Sequence, residues 1–419
     1  MLSIYILNHN YGHYLKECLE SVIHQPRIQE VEWIYVDDGS TDHSKEVIEP
    51  YRHLFHQILV NETPQGLIKS ANKAIRAATG TYVMRLDADD FLSENALDIY
   101  LNTLQKDIDI AFPNYFIYTA ETQQSYTFKR DSSSATLRSD FPFHGACTLV
   151  RKSFLAEINF YDESFSRQDG YYLWLQSLIH QKKLFHIEEP LFYYRIHGNN
   201  LTRSFRKLLL NRIEIKKKLL LHKFSDPVYL IVPLQEHLID QRISVLKAVF
   251  DYLEPLQLPL QWVLMTEVPL TSSFLQQDHI QIISREKSKG YGEALEKFLE
   301  DKSHLPFVIL EPDYPKLMPE SILEMLLTRL IQPYDRILSL FLESNSFYKY
   351  ESSGFSPLHV QKSYRLERNN LFRKAGGLSY FRNLEVYKNS HQKRTGFIEI
   401  DHLSTLRFQE WMDIQQNLE

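Results

Sequence analysis

The chain has 419 residues, of which 43% are apolar and 24% charged, which is ordinary for a globular protein and long enough for two domains. Its net charge of -6 and pI near 6.3 give no global positive field, so we expect no nucleic-acid partner. The two cysteines, Cys18 and Cys147, set no disulfide framework and no metal-binding spacing, which suits a reducing cytoplasm.

The N-terminal part of the chain alternates short apolar runs with segments of helical periodicity. The first run, SIYILN, lacks the basic segment and cleavage site of a signal peptide and predicts a strand. The next segment predicts a helix, with apolar residues at Leu15, Cys18, Leu19 and Val22. Further strands are predicted in three apolar runs bounded by turn residues: VEWIYVDD, HQILVNE and TYVMRLDADD.

Two more helices join these strands. STDHSKEVIEPY is expected to begin with Ser40 or Thr41 as its N-cap, and GLIKSANKAIRAATG is expected to end with Gly80 as its C-cap. Strands joined by helices require crossover connections, so the pattern predicts an α/β fold with a mostly parallel sheet.

Three predicted strands end in polar clusters: NHN, DDGS and DADD. Ligands of parallel sheets bind beyond the carboxyl ends of the strands, so we expect these clusters to share one edge. Two carboxylates one residue apart can hold Mg²⁺ or Mn²⁺ against a diphosphate, since both cations prefer oxygen ligands. A solvated capping turn is the alternative. Asp107 and Asp109 have the same spacing without that context, and we expect no function for them.

The segment from Asp107 to Ser204 is less regular. It contains the strand-like runs DIAFPNYFIYT and PLFYYRIH, with the segment CTLVRKSFL and a helix, YYLWLQSLIHQ, between them. A basic helix, FRKLLLNRIEIKKKLLLHK, follows, and Asp226-Pro227 then breaks the pattern. Its basic residues are expected on a solvated face, with contact to anionic lipid head groups as the alternative: Arg206, Lys207, Arg212 and Lys216 to Lys218.

A second alternation begins after Pro227 and predicts a second α/β domain. The predicted strands are VYLIVPL, QWVLMTE, IQIIS, PFVILEPD and DRILSLF. The predicted helices are ISVLKAVFDYL, YGEALEKFLE and ESILEMLLTRLI.

Residues 1–204 resemble a family 2 glycosyltransferase of the GT-A nucleotide-sugar fold, in five blocks that occur in order. The blocks are LNHNYGHYLKECLESVIHQ, YVDDGSTD, TPQGLIKSANKAIRAATGTYVMRLDADD, YDESFSRQDGYYLWLQSL and YYRIHGNNLT. The chain departs from the family at Leu7, where many relatives have proline, and at Gln168, where glutamate is usual. The resemblance covers residues 1–204, and the break at Asp226-Pro227 places the domain boundary, so we expect domains at 1–204 and 227–419 joined by a basic helical linker at 205–226.

The resemblance also implies the residues of a transfer site. Those implied to bind the donor are Asn8, Asp38 at the base, Asp87 on the ribose side, and Lys69 and Arg195 at the phosphates. A divalent cation, Mn²⁺ or Mg²⁺, is implied at Asp89 and His197, and Asp169 is implied as the general base. Asp90 is expected only in the turn or as a cap, and Trp174 in the core. Helix capping by Asp169 and a plain loop position for His197 are the alternatives.

Residues 227–419 resemble an acylneuraminate cytidylyltransferase that has lost its chemistry. The carrying segments are FVILEPDYPKLMPESILEMLL, FRKAGGLSYFRN and IEIDHLSTLRFQEWMDIQ. The loop that should cradle a triphosphate reads VPLQEHLIDQR and has no glycine, and Arg407 and Gln409 stand where the family has metal-binding aspartates. We therefore expect an inactive domain that serves as scaffold or as a docking site for a protein partner or a second copy.

The sequence thus predicts a cytoplasmic, metal-dependent, inverting glycosyltransferase, with peripheral contact to the inner face of the membrane left open. It would move a sugar from a nucleotide-diphosphate donor to a glycan, lipid-linked or protein acceptor, in surface polysaccharide or glycoconjugate synthesis. One alternative is a non-catalytic nucleotide-binding or assembly protein. Another is a bifunctional enzyme whose second domain makes a CMP-sugar.

Overall fold

The computed structural model describes most of the chain. The described residues are 1–128, 143–198, 205–223, 227–234, 236, 239–286, 291–302, 305–310, 320–331, 336–342, 348–351, 354–357, 371–381 and 395–399. Residues 311–319, in the middle of the segment FVILEPDYPKLMPESILEMLL, lie outside the described residues, as do Arg407 and Gln409.

The chain packs as two compact units, Met1–Ile215 and Lys216–Glu419. The division falls inside the predicted linker at 205–226, and the predicted domain limits 1–204 and 227–419 stay predictions. In each unit, helices pack against a mixed sheet, so the α/β class expected from the sequence is confirmed.

The described strands of the first unit are β1 (Leu2–Asn8), β2 (Val31–Asp37), β3 (Gln57–Val60), β4 (Tyr82–Asp87), β5 (Phe91–Leu92), β6 (Ile110–Thr119), β7 (Gln124–Phe128), β8 (Leu149–Arg151) and β9 (Leu184–Ile196). Its helices are α1 (Gly12–Ile23), α2 (Ser44–Ile48), α3 (Leu67–Ala77), α4 (Ala96–Thr103), α5 (Lys152–Glu157), α6 (Asp169–Ile179) and the start of α7 (Phe205–Lys223). Short 3-10 turns lie at Ile28–Glu30 and Glu49–Leu54.

The sheet of the first unit has the order β3-β2-β1-β4-β8-β6-β9-β5, with β7 added to β6. The strands from β3 to β4 are parallel, whereas β8 runs antiparallel to both β4 and β6. β1 lies between β2 and β4 and every one of its residues is buried, because helices cover both faces of a parallel sheet. The parallel half therefore brings the carboxyl ends of β1, β2 and β4 to one edge.

The expected N-cap of the helix after the second strand is wrong. α2 begins at Ser44, whereas Ser40 lies in the turn before it. The backbone N–H of Ser40 donates to Asp37 Oδ1 at 2.7 Å, and its hydroxyl accepts a bond from Asn8 Nδ2 at 3.0 Å. Ser40 thus closes the turn between two strand ends and cannot cap the helix, since that turn already occupies it.

The expected C-cap of α3 is also wrong. The helix ends at Ala77, with Ala78 as its C-cap, two residues before Gly80. Gly80 instead passes against the first strand, where an added Cβ would lie 2.5 Å from Ser3 Oγ. Glycine is needed there because the two backbones approach too closely for any side chain.

Trp174 on α6 is fully buried against Phe112 and Phe143, which confirms its expected place in the core.

The described strands of the second unit are β10 (Val228–Pro233), β11 (Leu260–Thr266), β12 (Ile280–Ser284), β13 (Phe307–Leu310), β14 (Arg336–Leu342), β15 (Tyr348–Glu351), β16 (Gly354–Pro357), β17 (Leu371–Phe381) and β18 (Thr395–Glu399). Its helices are the end of α7, then α8 (Ile239–Leu253), α9 (Tyr291–Leu299) and α10 (Glu320–Ile331), with 3-10 turns at Glu254–Leu256 and Ser273–Gln276.

The second sheet has the order β12-β11-β10-β13-β17-β14-β18, with β15 paired to β16 and β17. The strands from β12 to β13 are parallel, and β17 runs antiparallel between β13 and β14. The likeness of this unit to a cytidylyltransferase stays a prediction.

The solvated face expected for the basic helix is wrong at Lys216. This lysine is 1% exposed and forms an ion pair with Glu324 on α10. A buried ammonium needs such a carboxylate partner, since burial of an unpaired charge is costly.

Within the described part of the chain, no helix combines the length and the hydropathy needed to cross a bilayer.

Candidate active site

The strand register brings the three polar strand ends together. Asn8 pairs with Asp37 across β1 and β2, and Leu7 pairs with Asp87 across β1 and β4. The turn after β2 is tight, and Gly39 adopts a positive φ of 67° within it. The expectation that NHN, DDGS and DADD share one sheet edge is confirmed.

An acidic cluster, Asp87, Asp89 and Asp90, lies at this edge. One carboxylate oxygen from each lies within 4.8 Å of the others. Asp87 Oδ1 and Asp90 Oδ2 are buried without a hydrogen-bond partner among the described residues. Burial raises the pKa of Asp87 to about 7, with Arg85 opposing the rise and the charge of Asp89 adding to it. Burial and the same neighbouring charge also raise the pKa of Asp90 well above its usual value.

These oxygens fit a divalent cation. One oxygen from each of three carboxylates lies within reach of one ion, which matches the preference of Mg²⁺ and Mn²⁺ for carboxylates. Asp90 also has a buried oxygen, Oδ2, without a hydrogen-bond partner among the described residues. Without a cation the carboxylates repel one another, and burial makes the repulsion stronger. The expected roles of Asp87 on the ribose side and Asp89 at the metal stay predictions.

The end of β9 holds this acidic turn in place. His197 Nε2 lies 3.0 Å from Asp89 Oδ2, and both residues are at most 8% exposed. The backbone N–H of Arg195 donates to Asp90 Oδ1 at 2.9 Å, and Arg195 Nε donates to the Asp89 carbonyl at 2.7 Å. The structure therefore places His197 beside the expected metal ligand, and it gives Asp90 a partner in the turn.

Arg195 is enclosed by the protein rather than open at the strand edge. Its guanidinium lies over the rings of Tyr14, Phe91 and Tyr118 at 4.7–5.0 Å and donates through Nη2 to Glu17 Oε2 at 2.5 Å. These contacts anchor β9 to α1. Contact of Arg195 with phosphate stays a prediction.

The carboxylate of Asp38 is also bound within the chain. It accepts hydrogen bonds from the backbone N–H groups of Gln65 and Gly66 and from the side chains of Asn61 and Ser70, each at 2.8 Å. Burial works against ionisation, but these bonds outweigh it and lower the pKa of Asp38. Asp38 thus fixes the loop before α3, and its expected contact with a base stays a prediction.

Asn8 and Lys69 differ in exposure. Asn8 is fully buried at the end of β1, and its Oδ1 accepts from the backbone N–H of Tyr11 at 3.3 Å. Lys69 is exposed on α3. Asn8 thus closes the turn after β1, and Lys69 lies on the exposed face of α3. The donor-binding role of each residue stays a prediction.

Asp169 begins α6 and is 6% exposed. Gln168, in the left-handed region with φ 66°, turns the chain into the helix, and its Oε1 accepts from Arg212 Nε at 3.0 Å. Asp169 Oδ2 accepts from Arg85 Nη1 at 2.5 Å. The residue implied as the base is therefore joined to β4, which carries the acidic cluster at its end.

Arg85 is the residue that reasoning from the sequence missed. It lies on β4, is 6% exposed, and contacts two carboxylates, Asp87 through Nε at 2.8 Å and Asp169 through Nη1. The Asp87 contact is close but poorly aligned for a hydrogen bond. The signal was a single arginine inside the apolar run YVMRLD, since a buried arginine requires acidic partners.

Asp87→Asn is expected to stabilise the metal-free protein above neutral pH. The pKa of Asp87 is about 7 when folded and about 4 when unfolded, so the folded state holds the extra proton between these values. The contribution of Asp87 to the free energy of unfolding therefore falls as pH rises from about 4 to about 7. Thermal unfolding in a chelator should give the variant a Tm several degrees above wild type at pH 8 and a smaller gain at pH 5, at about 2–4 °C per kcal/mol.

Asp107→Asn is the control for this measurement. Asp107 is exposed, and a hydrogen bond from Lys183 lowers its pKa, so no gain at pH 8 is expected from its removal. Addition of Mn²⁺ at pH 8 should reduce the difference in Tm between Asp87→Asn and wild type. Equal Tm values for the two proteins at pH 8 in chelator would contradict the explanation.

Comparison with known proteins finds similarity in the N-terminal region. Residues 3–159 match the family model for glycosyl transferase family 2. The glycosyltransferase GlyG of Streptococcus pneumoniae is 32% identical over 131 residues, which cover 30% of this chain and 43% of GlyG. GlyA of the same organism is 24% identical over 260 residues, covering 57% and 36%, and the chondroitin synthase of Escherichia coli is 33% identical over 112 residues, covering 26% and 16%. The chain spans less than half of each of these relatives.

Solved structures give weaker likenesses. The crystal structure of S. aureus TarS residues 1–349 with UDP-GlcNAc has a TM-score of 0.44 and 18% identity, covering 52% of this chain and 65% of that one. The mannosyltransferase PcManGT of Pyrobaculum calidifontis, with GDP-Man and Mn²⁺, has a TM-score of 0.42 and 15% identity, covering 54% and 65%.

Proposed function

We propose that this chain, whose residues 3–159 match the family model for glycosyl transferase family 2, transfers a sugar from a nucleotide-diphosphate donor to an acceptor hydroxyl, with inversion at the anomeric carbon. One observation carries the proposal. Asp87 of the acidic cluster and Asp169 at the start of α6 contact the same buried arginine, Arg85, which supports one site with groups suited to a donor and to an acceptor.

The acceptor side of the reaction requires a base. A bond forms between the acceptor oxygen and the anomeric carbon while the bond from that carbon to the diphosphate breaks, and the acceptor proton goes to Asp169. A carboxylate can take this proton only within hydrogen-bonding reach of the hydroxyl. Asp169 is the first residue of α6 and is bound to Arg85, which favours a fixed position for the proton acceptor. A single displacement of this kind inverts the configuration.

The donor side of the reaction requires charge compensation. Asp89 and His197 would hold a divalent cation, with Asp87 toward the ribose. When bound, the cation supplies positive charge to the departing diphosphate. The protein keeps these ligands buried and oriented, through the contact of Asp89 with His197 and the hydrogen bond from Arg195 to the Asp89 carbonyl. Asp38, Asn8, Lys69 and Arg195 would form the remainder of the donor site.

The acceptor is a glycan, a lipid-linked sugar or a protein in the proposed surface polysaccharide or glycoconjugate synthesis. The cytoplasmic location, peripheral contact with the membrane, and docking through residues 227–419 belong to the same proposal.

Donor turnover by the purified full chain tests the proposal. UDP-, GDP- and CMP-linked sugars are incubated with Mn²⁺ or Mg²⁺ and a panel of sugar acceptors, and release of the nucleotide is measured alongside the mass of the product. We expect release of a nucleoside diphosphate and a product one sugar heavier, both abolished by a chelator and restored by the metal. Metal-dependent nucleotide binding without turnover across the panel would favour the non-catalytic alternative. CTP turnover in a separate incubation with CTP would favour the bifunctional one.

A further inference from the structure

Arg85 joins the two halves of the proposed site. Its guanidinium contacts Asp87, at the end of the same strand, and Asp169, 84 residues later in the chain. Both contacts are made by a side chain that is 6% exposed. An arginine can hold two carboxylates at once because its donors form a rigid planar fork, whereas a lysine is a single point charge.

Two glycines fix the geometry of the Arg85–Asp169 pair. A Cβ on Gly145 would lie 2.8 Å from Asp169 Oδ2 and 3.1 Å from Arg85 Nη2. A Cβ on Gly170 would in turn lie 2.9 Å from the backbone nitrogen of Gly145. The ion pair is therefore packed against backbone on one side, and neither partner can shift toward that side.

The pair also distinguishes the two oxygens of the aspartate. Arg85 donates to Oδ2, and within the described stretches of the chain no donor reaches Oδ1 of Asp169. Oδ1 is thus the oxygen that remains to accept a proton.

We infer that Arg85 is a positioning residue for sugar transfer: it holds Oδ2 of Asp169 so that Oδ1 meets the acceptor hydroxyl, and it holds Asp87 at a fixed distance from that base. The inference rests on the proposed function, and it adds a residue that acts through Asp169 and not on the substrates. Displacement of a reacting group by about 1 Å can cost about 100-fold in rate, so loss of this contact should lower kcat.

Two substitutions of Arg85 test the inference. Transfer from radiolabelled donor is measured over a range of donor and acceptor concentrations for Arg85→Met and Arg85→Lys. We expect kcat to fall about 100-fold for Arg85→Met and about 10-fold for Arg85→Lys, which keeps the charge but loses the fork, with each KM within about threefold of wild type. In an Asp169→Asn background, Arg85→Met should lower kcat by less than about threefold, because Asp169, through which Arg85 acts, has already been replaced.

A second variant covers the case in which Arg85→Met does not fold. Gly145→Ala keeps both charges and pushes Asp169 from its position, so it should also lower kcat by about 10-fold or more without a matching change in KM. Arg151→Met is the matched control. Arg151 forms an ion pair with Asp109, with 3.0 Å between Nε and Oδ1, and neither residue belongs to the proposed site. The kcat of Arg151→Met should stay within about threefold of wild type.

The outcomes separate the inference from the proposed function. Three results would each overturn the inference and leave the proposed function standing. They are an equal loss of kcat from Arg85→Met in the wild-type and Asp169→Asn backgrounds, an effect of Arg85→Met on KM alone, and an unchanged kcat in Gly145→Ala. A wild-type chain that transfers no sugar to any acceptor would overturn both.

Discussion

Replacing Asp169 with asparagine is expected to lower kcat for sugar transfer about 1,000-fold. Asparagine has nearly the same shape and keeps a carbonyl oxygen for Arg85, but it cannot take the acceptor proton, and general-base catalysis contributes about 10²–10⁴-fold. The donor side does not include Asp169, so the KM for donor should stay within about threefold of wild type. Steady-state transfer, together with metal-dependent nucleotide binding measured by calorimetry, separates the two effects.

Asp162→Asn is the matched control for this prediction. Asp162 lies on the same segment before α6 and accepts bonds from the backbone and hydroxyl of Ser164, so its loss should leave kcat within about threefold of wild type. Near wild-type kcat in Asp169→Asn, with nucleotide binding intact, would remove Asp169 from the role of base and assign it to helix capping.

Asp89→Asn is expected to lower metal-dependent transfer by about 10²–10³-fold. Asp89 is 8% exposed beside His197, so its carboxylate cannot be replaced by a neighbour that swings in from solvent. A bound cation stabilises the transition state by several kcal/mol, and each 1.36 kcal/mol corresponds to a factor of ten in rate. Activity measured against Mn²⁺ concentration should show a midpoint shifted upward at least 10-fold, with direct Mn²⁺ titration in the presence of nucleotide showing the same shift.

Asp107→Asn provides the control with the same Asp-x-Asp spacing. Its carboxylate is exposed and pairs with Lys183, so both the rate and the Mn²⁺ midpoint should match wild type. His197→Ala should shift the midpoint less than Asp89→Asn, because it removes a neutral ligand and leaves the carboxylates. A Mn²⁺ midpoint unchanged in Asp89→Asn would exclude Asp89 as a metal ligand.

Much of the fold follows from local patterns. The apolar runs and helical spacings placed β1, α1, β2, β3, α3 and β4, because each element keeps one period. The polar strand ends followed from the rule that parallel strands share an edge, and the register of Asn8 with Asp37 and of Leu7 with Asp87 confirms it. The helix boundaries failed at Ser40 and Gly80, because contacts with another strand overrode the local capping preference.

The parts of the site that escaped prediction depend on long-range contacts. Nothing near Arg85 in sequence shows that its main partner is Asp169, and nothing near Lys216 shows that it is buried against Glu324. Spacing identifies a carboxylate as a candidate ligand, but it does not show how many donors the fold has already directed to it, as for Asp38. These partners are brought together only by the tertiary fold, so they cannot be read from local sequence.

The distance along the chain between Arg85 and Asp169 has a consequence for the order in which the molecule forms. The acidic cluster lies within a few residues of Arg85, whereas Asp169 joins it by closing a loop of 84 residues, and such contacts cost more chain entropy and form later than local ones. A chain folded only as far as β4 would hold Asp87 and Asp89, but it would lack Asp169, the proposed base, and His197, the second proposed cation ligand. The proposed site would thus be complete only after contacts between segments far apart along the chain have formed.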